Sequence, residues 1–186
     1  MRYFIAHLVP SDVKRYHERL VRSLHRTHKI RLPKRHSPPH ITVKPPFECG
    51  LMGIVEVEKA LRSYTRLHTA PRYTLSGFGK FGFKTIYLDA IKSPQAVSFV
   101  RGLVTYLNHE VPWLPRASME GNKLHTSVAR HLDRKTSSRV WRALKHLEPR
   151  FECTMDTVAV LKMVGSSWTV RTLLKVPRTK KLPLPE

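Results

Sequence analysis

The chain has 186 residues, of which 41% are hydrophobic, and this suits one domain with a core of ordinary size. Its 34 Lys and Arg against 13 Asp and Glu give a formal net charge of +21 at pH 7, which favours a polyanionic partner, nucleic acid first. The apolar runs are too short for a membrane span or a signal peptide, and Cys49 and Cys153 form no C-x-x-C pair. We therefore expect a cytoplasmic protein without a membrane anchor or a disulfide framework.

The first half of the chain alternates strand-like and helix-like patterns. The elements predicted here, in chain order, are a strand at Tyr3–Val9, a helix capped by Ser11, a basic loop at Lys29–Pro39, a strand at His40–Lys44 and a helix at about Ile54–His68. The first helix is supported by apolar residues at a spacing of three to four, namely Val13, Tyr16, Leu20 and Leu24. We expect Pro45 and Pro46 to end the second strand, because proline cannot donate a ladder hydrogen bond.

The second half continues in the same manner. The elements predicted here are paired strands at Arg72–Ser76 and Thr85–Ile91, a helix that begins at Pro94 after a Ser93 cap, a strand near Lys123–Ala129, a helix capped by Asp133, and strands at about Glu152–Met163 and Trp168–Lys175. The order βαβαββαβαββ predicts an α+β fold with two pseudo-symmetric lobes. We expect one bilobed domain over residues 1–176, followed by a basic tail rich in Pro and Lys over residues 177–186.

Two short motifs, nearly half the chain apart, pair a histidine with a hydroxyl residue. They are H-I-T-V, which begins at His40, and H-T-S-V, which begins at His125. Side chains alternate between the faces of a strand, so His40 shares a face with Thr42, and His125 shares one with Ser127. If the two lobes face each other, both pairs line one pocket.

Two imidazoles and two hydroxyls around one pocket suit the cleavage of a phosphoester. The ordinary imidazole pKa lies near 6.5, so one ring can accept a proton while another donates one at the same pH. One ring would activate the attacking oxygen, the other would protonate the leaving oxygen, and the hydroxyls would donate to phosphate oxygens. We therefore treat His40, Thr42, His125 and Ser127 as candidate catalytic residues.

Longer stretches around these motifs resemble the two-histidine phosphoesterases, and within them the 2'-5' RNA ligase (RNA 2',3'-cyclic phosphodiesterase) group. The first strand, both motifs and the central hairpin carry the likeness, at Arg2–Pro10, Pro39–Phe47, Leu75–Asp89 and Leu124–Arg130. One departure is Thr126, where that family usually has an apolar residue. The resemblance implies a bilobed fold with a central groove that holds both motifs.

The same resemblance implies an activity and roles for its residues. It implies hydrolysis of a 2',3'-cyclic phosphate to a 2'-phosphate without metal or cofactor, with 2'-5' ligation as the reverse reaction. His40 would be the acid and His125 the base, Thr42 and Ser127 would hold phosphate oxygens, and Arg130 would contact phosphate or nucleotide. The expected partner is RNA or a nucleotide with a 2',3'-cyclic phosphate, bound by a monomer.

Aromatic residues near the motifs leave two interpretations open. Phe4 and Phe81 are candidates for stacking on a substrate base at the rim of the groove, as is Phe83. The alternative is burial in the core, which is usual for apolar residues in strands and which we favour for Phe81 and Phe83. The G-x-G-x-x-G that starts at Gly77 precedes a strand rather than a helix, so it indicates a hairpin turn and not a dinucleotide site.

Other features are open or argue against a site. His36 and His40 have a metal-like spacing, but Pro38 and Pro39 prevent the helix that would align them, and no paired acids suit Mg²⁺. The basic run at Arg26–Arg35 is either a guide for RNA or a solvated loop. The competing functions are a phosphodiesterase for small 2'-5'-linked or cyclic nucleotides, and an RNA-binding module without catalysis.

Overall fold

The computed structural model describes residues 1–32, 37–91, 93–116 and 123–178 of the chain. Over these ranges the chain forms the following helices and strands. The strands are β1 (Arg2–Leu8), β2 (His40–Glu48), β3 (Arg72–Phe81), β4 (Thr85–Ile91), β5 (His125–Arg130), β6 (Arg150–Thr154), β7 (Thr157–Val164) and β8 (Ser167–Lys175). The helices are α1 (Ser11–His28), α2 (Leu51–Leu67), α3 (Pro94–Glu110) and α4 (Arg134–Leu144).

The strands form two antiparallel sheets of four, which confirms the bilobed α+β prediction. The first sheet has the order β2-β1-β7-β8, and the second has the order β5-β4-β3-β6. Each motif strand is thus the edge strand of its own sheet. The two edge strands, β2 and β5, contact each other. The sheets therefore meet along the strands that carry the two motifs.

One apolar core lies behind both sheets and under the four helices. It contains residues of both lobes, among them Tyr3, Ile41, Leu88 and Leu103, all at most 1% exposed. A second, small apolar cluster lies on the other face of the first sheet and consists of Phe4, Ala6, Ala159 and Leu161, with Leu8 and Trp168 packed against it. Because Leu8 and Ala6 pair in register with His40 and Thr42, this second cluster forms the floor beside the first motif.

A buried polar contact joins the two sheets inside the core. The His7 side chain of β1 is fully buried, and its Nδ1 donates to the carbonyl oxygen of Thr157 at 3.0 Å. Its Nε2 then accepts from the Tyr73 hydroxyl of β3 at 2.9 Å. Burial lowers the pKa of His7 to about 4, so the ring is neutral at physiological pH.

Two predicted strand boundaries are wrong for reasons that the sheet order explains. β2 runs to Glu48 through Pro45 and Pro46, because an edge strand leaves some of its N–H groups without a ladder partner and tolerates proline there. The single strand expected at Glu152–Met163 is two strands, β6 in the second sheet and β7 in the first. The chain crosses between the sheets at the two residues between them.

The helix starts differ in how well local sequence predicts them. Asp133 caps α4 as expected, since its carboxylate accepts from the Thr136 N–H at 2.8 Å. Ser11 does not cap α1, because the N-cap position is Pro10 and Ser11 is already the first helical residue. Ser93 occupies the N-cap position of α3, but its hydroxyl donates to the carbonyl of Arg72 instead of capping the helix.

The end of the described chain stays in contact with the domain. The carbonyl of Pro177 accepts from the Ala70 N–H at 2.7 Å, and Arg178 pairs with Asp156 at 2.8 Å. Most of the predicted tail, with Lys180 and Lys181, lies outside the described residues, as do residues 33–36 of the predicted basic loop. The division into a domain and a tail stays a prediction. Among the described helices, none is both long enough and apolar enough to cross a membrane.

Candidate active site

The two motifs place their polar residues on one face of each edge strand. His40 and Thr42 are partly exposed while Ile41 and Val43 between them are buried, and β5 repeats this alternation. His125 and Ser127 are the partly exposed residues of β5. Since β2 and β5 contact each other, the structure brings together the four residues that the sequence singles out.

Both imidazole rings are held in the same way by the chain that precedes them. His40 Nδ1 donates to the carbonyl oxygen of Pro38 at 2.7 Å, and His125 Nδ1 donates to that of Lys123 at 2.8 Å. In each case the acceptor lies two residues before the histidine. A carbonyl oxygen accepts only, so the proton of each neutral ring is on Nδ1. The lone pair is then on Nε2, which is the atom available for proton transfer.

Burial and positive charge keep the His40 ring neutral. Burial lowers the pKa of His40 to about 4, although the hydrogen bond to Pro38 opposes the shift. Positive charges on Arg130, His125 and His17 lower it further. The interaction with His125 shows that the charge of one motif histidine acts on the other. Both rings belong to one electrostatic site.

His125 has a carboxylate beside it, and within the described part of the chain His40 has none. Burial also lowers the pKa of His125, but the Asp89 carboxylate raises it, while Arg130 and Lys123 lower it. Asp89 pairs in register with His125 across β4 and β5, and Lys123 lies 2.6 Å from the same carboxylate. The residue in the corresponding position beside His40 is Leu8. The two halves of the site therefore differ in charge.

An aromatic ring supports each histidine, with different exposure on the two sides. The Phe4 ring centroid lies 4.9 Å from that of His40 and 4.6 Å from that of Trp168, and Phe4 is only 3% exposed. The expectation that Phe4 contacts substrate is therefore corrected, because its surface is covered by these neighbours. Phe81 lies 4.8 Å from His125 and is 43% exposed, so the core interpretation is wrong for this ring.

Gly79 and Gly82 of the hairpin meet two different structural requirements, and neither residue lies at the N-terminus of a helix. Gly82 has a φ of 53° in the turn between β3 and β4, as the hairpin prediction requires. Gly79 lies within β3, where an added Cβ would overlap the Tyr87 ring. The absence of a side chain at Gly79 lets Tyr87 lie against it, with its ring centroid 5.0 Å from that of His125.

Comparison with known protein families shows which family the chain belongs to. The family model of the 2'-5' RNA ligase superfamily matches residues 9–166, which includes both motifs. The chain belongs to this superfamily. It thus belongs to the two-histidine phosphoesterase group of proteins, as the resemblance of the motifs implies. No curated protein matches the sequence significantly.

Solved structures of superfamily proteins share the fold over almost the whole chain. The protein TT0787 of Thermus thermophilus superposes with a TM-score of 0.67 at 18% identity, over 97% of this chain and 100% of that one. E. coli LigT in complex with 3'-AMP superposes with a TM-score of 0.55 at 14% identity, over 94% of this chain and 96% of that one. The LigT complex with NADP⁺ gives 0.56 at 15% identity, over 95% and 97%.

A third histidine, which the sequence analysis does not single out, connects α1 to the second superfamily motif. His17 Nε2 donates to the carbonyl oxygen of Ser127 at 2.8 Å, and burial lowers the pKa of His17. His17 lies four residues after Val13 and seven before Leu24, on the inward face of α1. A polar residue in this apolar stripe is the signal that the sequence offers. Through this bond α1 holds β5 next to the site.

The remaining motif residues of this superfamily member differ in accessibility. Arg130 ends β5 with an exposed side chain, and its charge acts on both His40 and His125. Thr126, the departure from the family pattern, is 1% exposed, and its hydroxyl has no hydrogen-bond partner among the described residues. No group of three His, Cys, Asp or Glu suited to a metal ion occurs in the described part of the chain.

Proposed function

We propose that the protein is an RNA 2',3'-cyclic phosphodiesterase that opens the cyclic phosphate to a 2'-phosphate, with 2'-5' ligation as the reverse reaction. The observation that carries the proposal is the paired construction of the site: two edge strands in contact, each with a histidine anchored through Nδ1 and a hydroxyl on the same face. Membership of the superfamily supports it. The solved complexes of E. coli LigT with 3'-AMP and NADP⁺ also support a nucleotide ligand.

The reaction needs one proton acceptor and one proton donor on opposite sides of the phosphorus. One Nε2 takes a proton from water as the water oxygen bonds to phosphorus, and the bond from phosphorus to O3' breaks. The other Nε2 gives its proton to O3', which leaves a 3'-hydroxyl and a 2'-phosphate. Thr42, Ser127 and Arg130 bind the phosphate oxygens, whose negative charge grows in the transition state.

The charges around the rings support one assignment of the two roles. His40 has no carboxylate beside it among the described residues and a pKa of about 4, so we assign it as the ring that begins neutral and accepts the proton. Burial and Arg130 lower the pKa of His125 as well, but the Asp89 carboxylate opposes this lowering, so of the two rings we assign His125 as the donor. This reverses the roles that the family resemblance implies. A bound phosphate adds negative charge that raises the pKa of both rings.

The test is hydrolysis of 2',3'-cyclic AMP, followed by phosphorus NMR so that the 2'-phosphate and 3'-phosphate products are distinguished. We expect the 2'-phosphate from the wild-type protein. His40→Ala and His125→Ala should each reduce kcat by ~10²–10⁴-fold. His109→Ala is the matched control, because His109 is exposed at the end of α3, and it should retain full activity. Wild-type rates in both motif variants would contradict the proposal.

The competing interpretation, an RNA-binding module without catalysis, draws on the net charge of +21. It predicts binding that weakens steeply with salt and no turnover at any pH. A bell-shaped dependence of kcat on pH, with one limb from each histidine, excludes it. Rates on a mononucleotide and on an RNA end then separate an RNA enzyme from one that acts on small nucleotides.

A further inference from the structure

A cavity of about 420 Å³ lies between α4 and the hairpin that joins β3 to β4, apart from the two motifs. We call it the hairpin pocket. Lys80 and Phe83 line it from the hairpin; Arg134, Trp141, Arg142 and two serines line it from α4, and Lys145 lines it from the position just after that helix. Its volume falls within the ~300–1,000 Å³ that is usual for ligand pockets.

The hairpin pocket concentrates positive charge without compensating carboxylates. Four of its eight lining residues are Lys or Arg, and none is acidic. Over the described ranges, none of these four cations forms an ion pair with a carboxylate. Asp133 is next to Arg134 in sequence, but its two oxygens accept from the N–H and the hydroxyl of Thr136. A pocket of this charge favours a ligand that brings phosphate groups.

Two aromatic rings give the hairpin pocket flat apolar surfaces beside these cations. The Lys80 ammonium lies 5.3 Å from the centroid of the Trp141 ring, and the Arg134 guanidinium lies 5.1 Å from that of Phe83. Phe83 is 37% exposed, although it is a large apolar residue next to a strand. Alternating cations and exposed rings are the means by which proteins bind single-stranded nucleic acid, with bases on the rings and phosphates on the cations.

The hairpin also connects this pocket to the candidate active site. Phe81 contacts His125 with its ring, and Phe83, two residues later, lines the pocket. Two residues of chain span at most ~7 Å, so the Cα atoms of Phe81 and Phe83 lie within this distance of each other at the hairpin tip. The Leu132 N–H donates to the carbonyl of Lys84 at 3.2 Å, which holds the segment between β5 and α4 against the same tip.

We propose that the hairpin pocket binds single-stranded RNA upstream of the reacting end, with a base on Phe83 or Trp141 and the backbone phosphates on Arg134 and Arg142. The RNA passes from the His125 side of the groove around the tip of the hairpin. This inference rests on the proposed function and deepens it. The preferred substrate is an oligonucleotide with a 2',3'-cyclic phosphate end rather than a mononucleotide.

The experiment compares two substrates and two pairs of cations. The substrates are 2',3'-cyclic AMP and a ten-nucleotide single-stranded RNA with a 2',3'-cyclic phosphate end. The pocket variant is Arg134→Gln with Arg142→Gln, and the control is Lys59→Gln with Arg62→Gln, which removes the same charge from exposed positions of α2. Circular dichroism melting checks that all variants remain folded.

We expect the pocket variant to lower kcat/KM about tenfold or more on the RNA and less than twofold on 2',3'-cyclic AMP. Its dissociation constant for the RNA, measured by fluorescence anisotropy, should depend less on salt, with a slope smaller by about 1.4 for two lost phosphate contacts. Phe83→Leu should weaken RNA binding at least fivefold, because a stacked base loses its platform. The control should stay within twofold of the wild type on both substrates.

The inference is overturned by unchanged RNA binding in the pocket variant, by an equal loss in the control, or by equal losses on both substrates. Displacement of the RNA by polyglutamate of matched charge as readily as by unlabelled RNA also overturns it, because the pocket would then recognise charge alone. The anisotropy measurement needs no turnover. Pocket-dependent RNA binding without hydrolysis of either substrate therefore supports this inference while the proposed function fails.

Discussion

The two halves of the candidate site have the same parts in different surroundings. In each half, an edge strand holds a histidine through Nδ1 and presents a hydroxyl two residues later. On the first sheet the residues next to His40 are the apolar Leu8 and the buried Phe4. On the second sheet the neighbours of His125 are Asp89 and the exposed Phe81.

This difference shows how one motif, used twice, can serve two chemical tasks. The anchoring to a backbone carbonyl fixes which nitrogen reacts, and it is the same in both halves. The residues of the neighbouring strand affect how readily each ring holds a proton, and these residues differ between the two halves. Predictions that treat the two halves separately therefore test the comparison directly.

The largest expected effect separates proton acceptor from proton donor. On a nucleoside phosphodiester with 4-nitrophenolate as the leaving group, no proton donor is needed, because this anion leaves unprotonated. We expect His125→Ala to keep most of the wild-type rate on this ester, whereas His40→Ala loses ~10²–10⁴-fold. The rates are followed by nitrophenolate absorbance. The opposite pattern would restore the roles that the family resemblance implies.

The next effect concerns the two hydroxyls. Thr42→Val and Ser127→Ala each remove one donor to the phosphate, and we expect kcat to fall ~10²-fold in each, since the lost bond is strongest in the transition state. Thr42→Ser keeps the hydroxyl and is the matched control, which should stay within a few fold of the wild type. Steady-state kinetics on 2',3'-cyclic AMP measure all three. An effect in only one half would show that a single strand holds the phosphate.

A smaller effect tests the charge difference by the pH dependence of kcat. Asp89→Asn removes a carboxylate that favours protonated His125, so the pKa of His125 falls and the alkaline limb of the donor moves to lower pH. Lys123→Met removes a cation that disfavours the proton, so the same limb moves to higher pH. The acidic limb, assigned to His40, should stay in place in both variants. Shifts of the acidic limb instead would assign the donor to His40.

The smallest effect distinguishes the two aromatic neighbours. Phe4→Leu should cost about 1 kcal/mol of unfolding free energy and lower Tm, because Phe4 packs between His40 and Trp168 in a closed cluster. Phe81→Leu should leave Tm unchanged and raise KM a few fold, because this ring is exposed beside His125. Differential scanning fluorimetry and steady-state kinetics give both quantities. Equal losses of Tm would remove the distinction.

Much of the fold is set by local patterns, and these are the parts that the sequence predicts. The alternation around His40 and His125, the cap at Asp133 and the βα order all depend on residues a few positions apart. Whether a strand lies at the edge or in the centre of a sheet depends on the order of all its strands. Local sequence therefore does not show that β2 is an edge strand, which is why it can continue through Pro45 and Pro46.

The charged and polar neighbours of the motif histidines also cannot be predicted from local sequence patterns. Asp89 lies beside His125 only because β4 and β5 pair in one register, with a shift between Ile86 and Tyr87. His17 reaches Ser127 across 110 residues of sequence. Phe4 is buried in part because Trp168, 164 residues later in the sequence, covers its ring. Which strand covers a given ring depends on the tertiary structure and not on local sequence.

The strand order has a consequence for synthesis on the ribosome, where the chain emerges from its amino end. The second sheet uses β3 to β6, which are consecutive, so all its strands are available once Thr154 has emerged. The first sheet needs β7 between β1 and β8, and Trp168 of β8 must arrive before the floor beneath His40 is closed. We therefore expect a nascent chain to complete the His125 half first and the groove between the two motifs last.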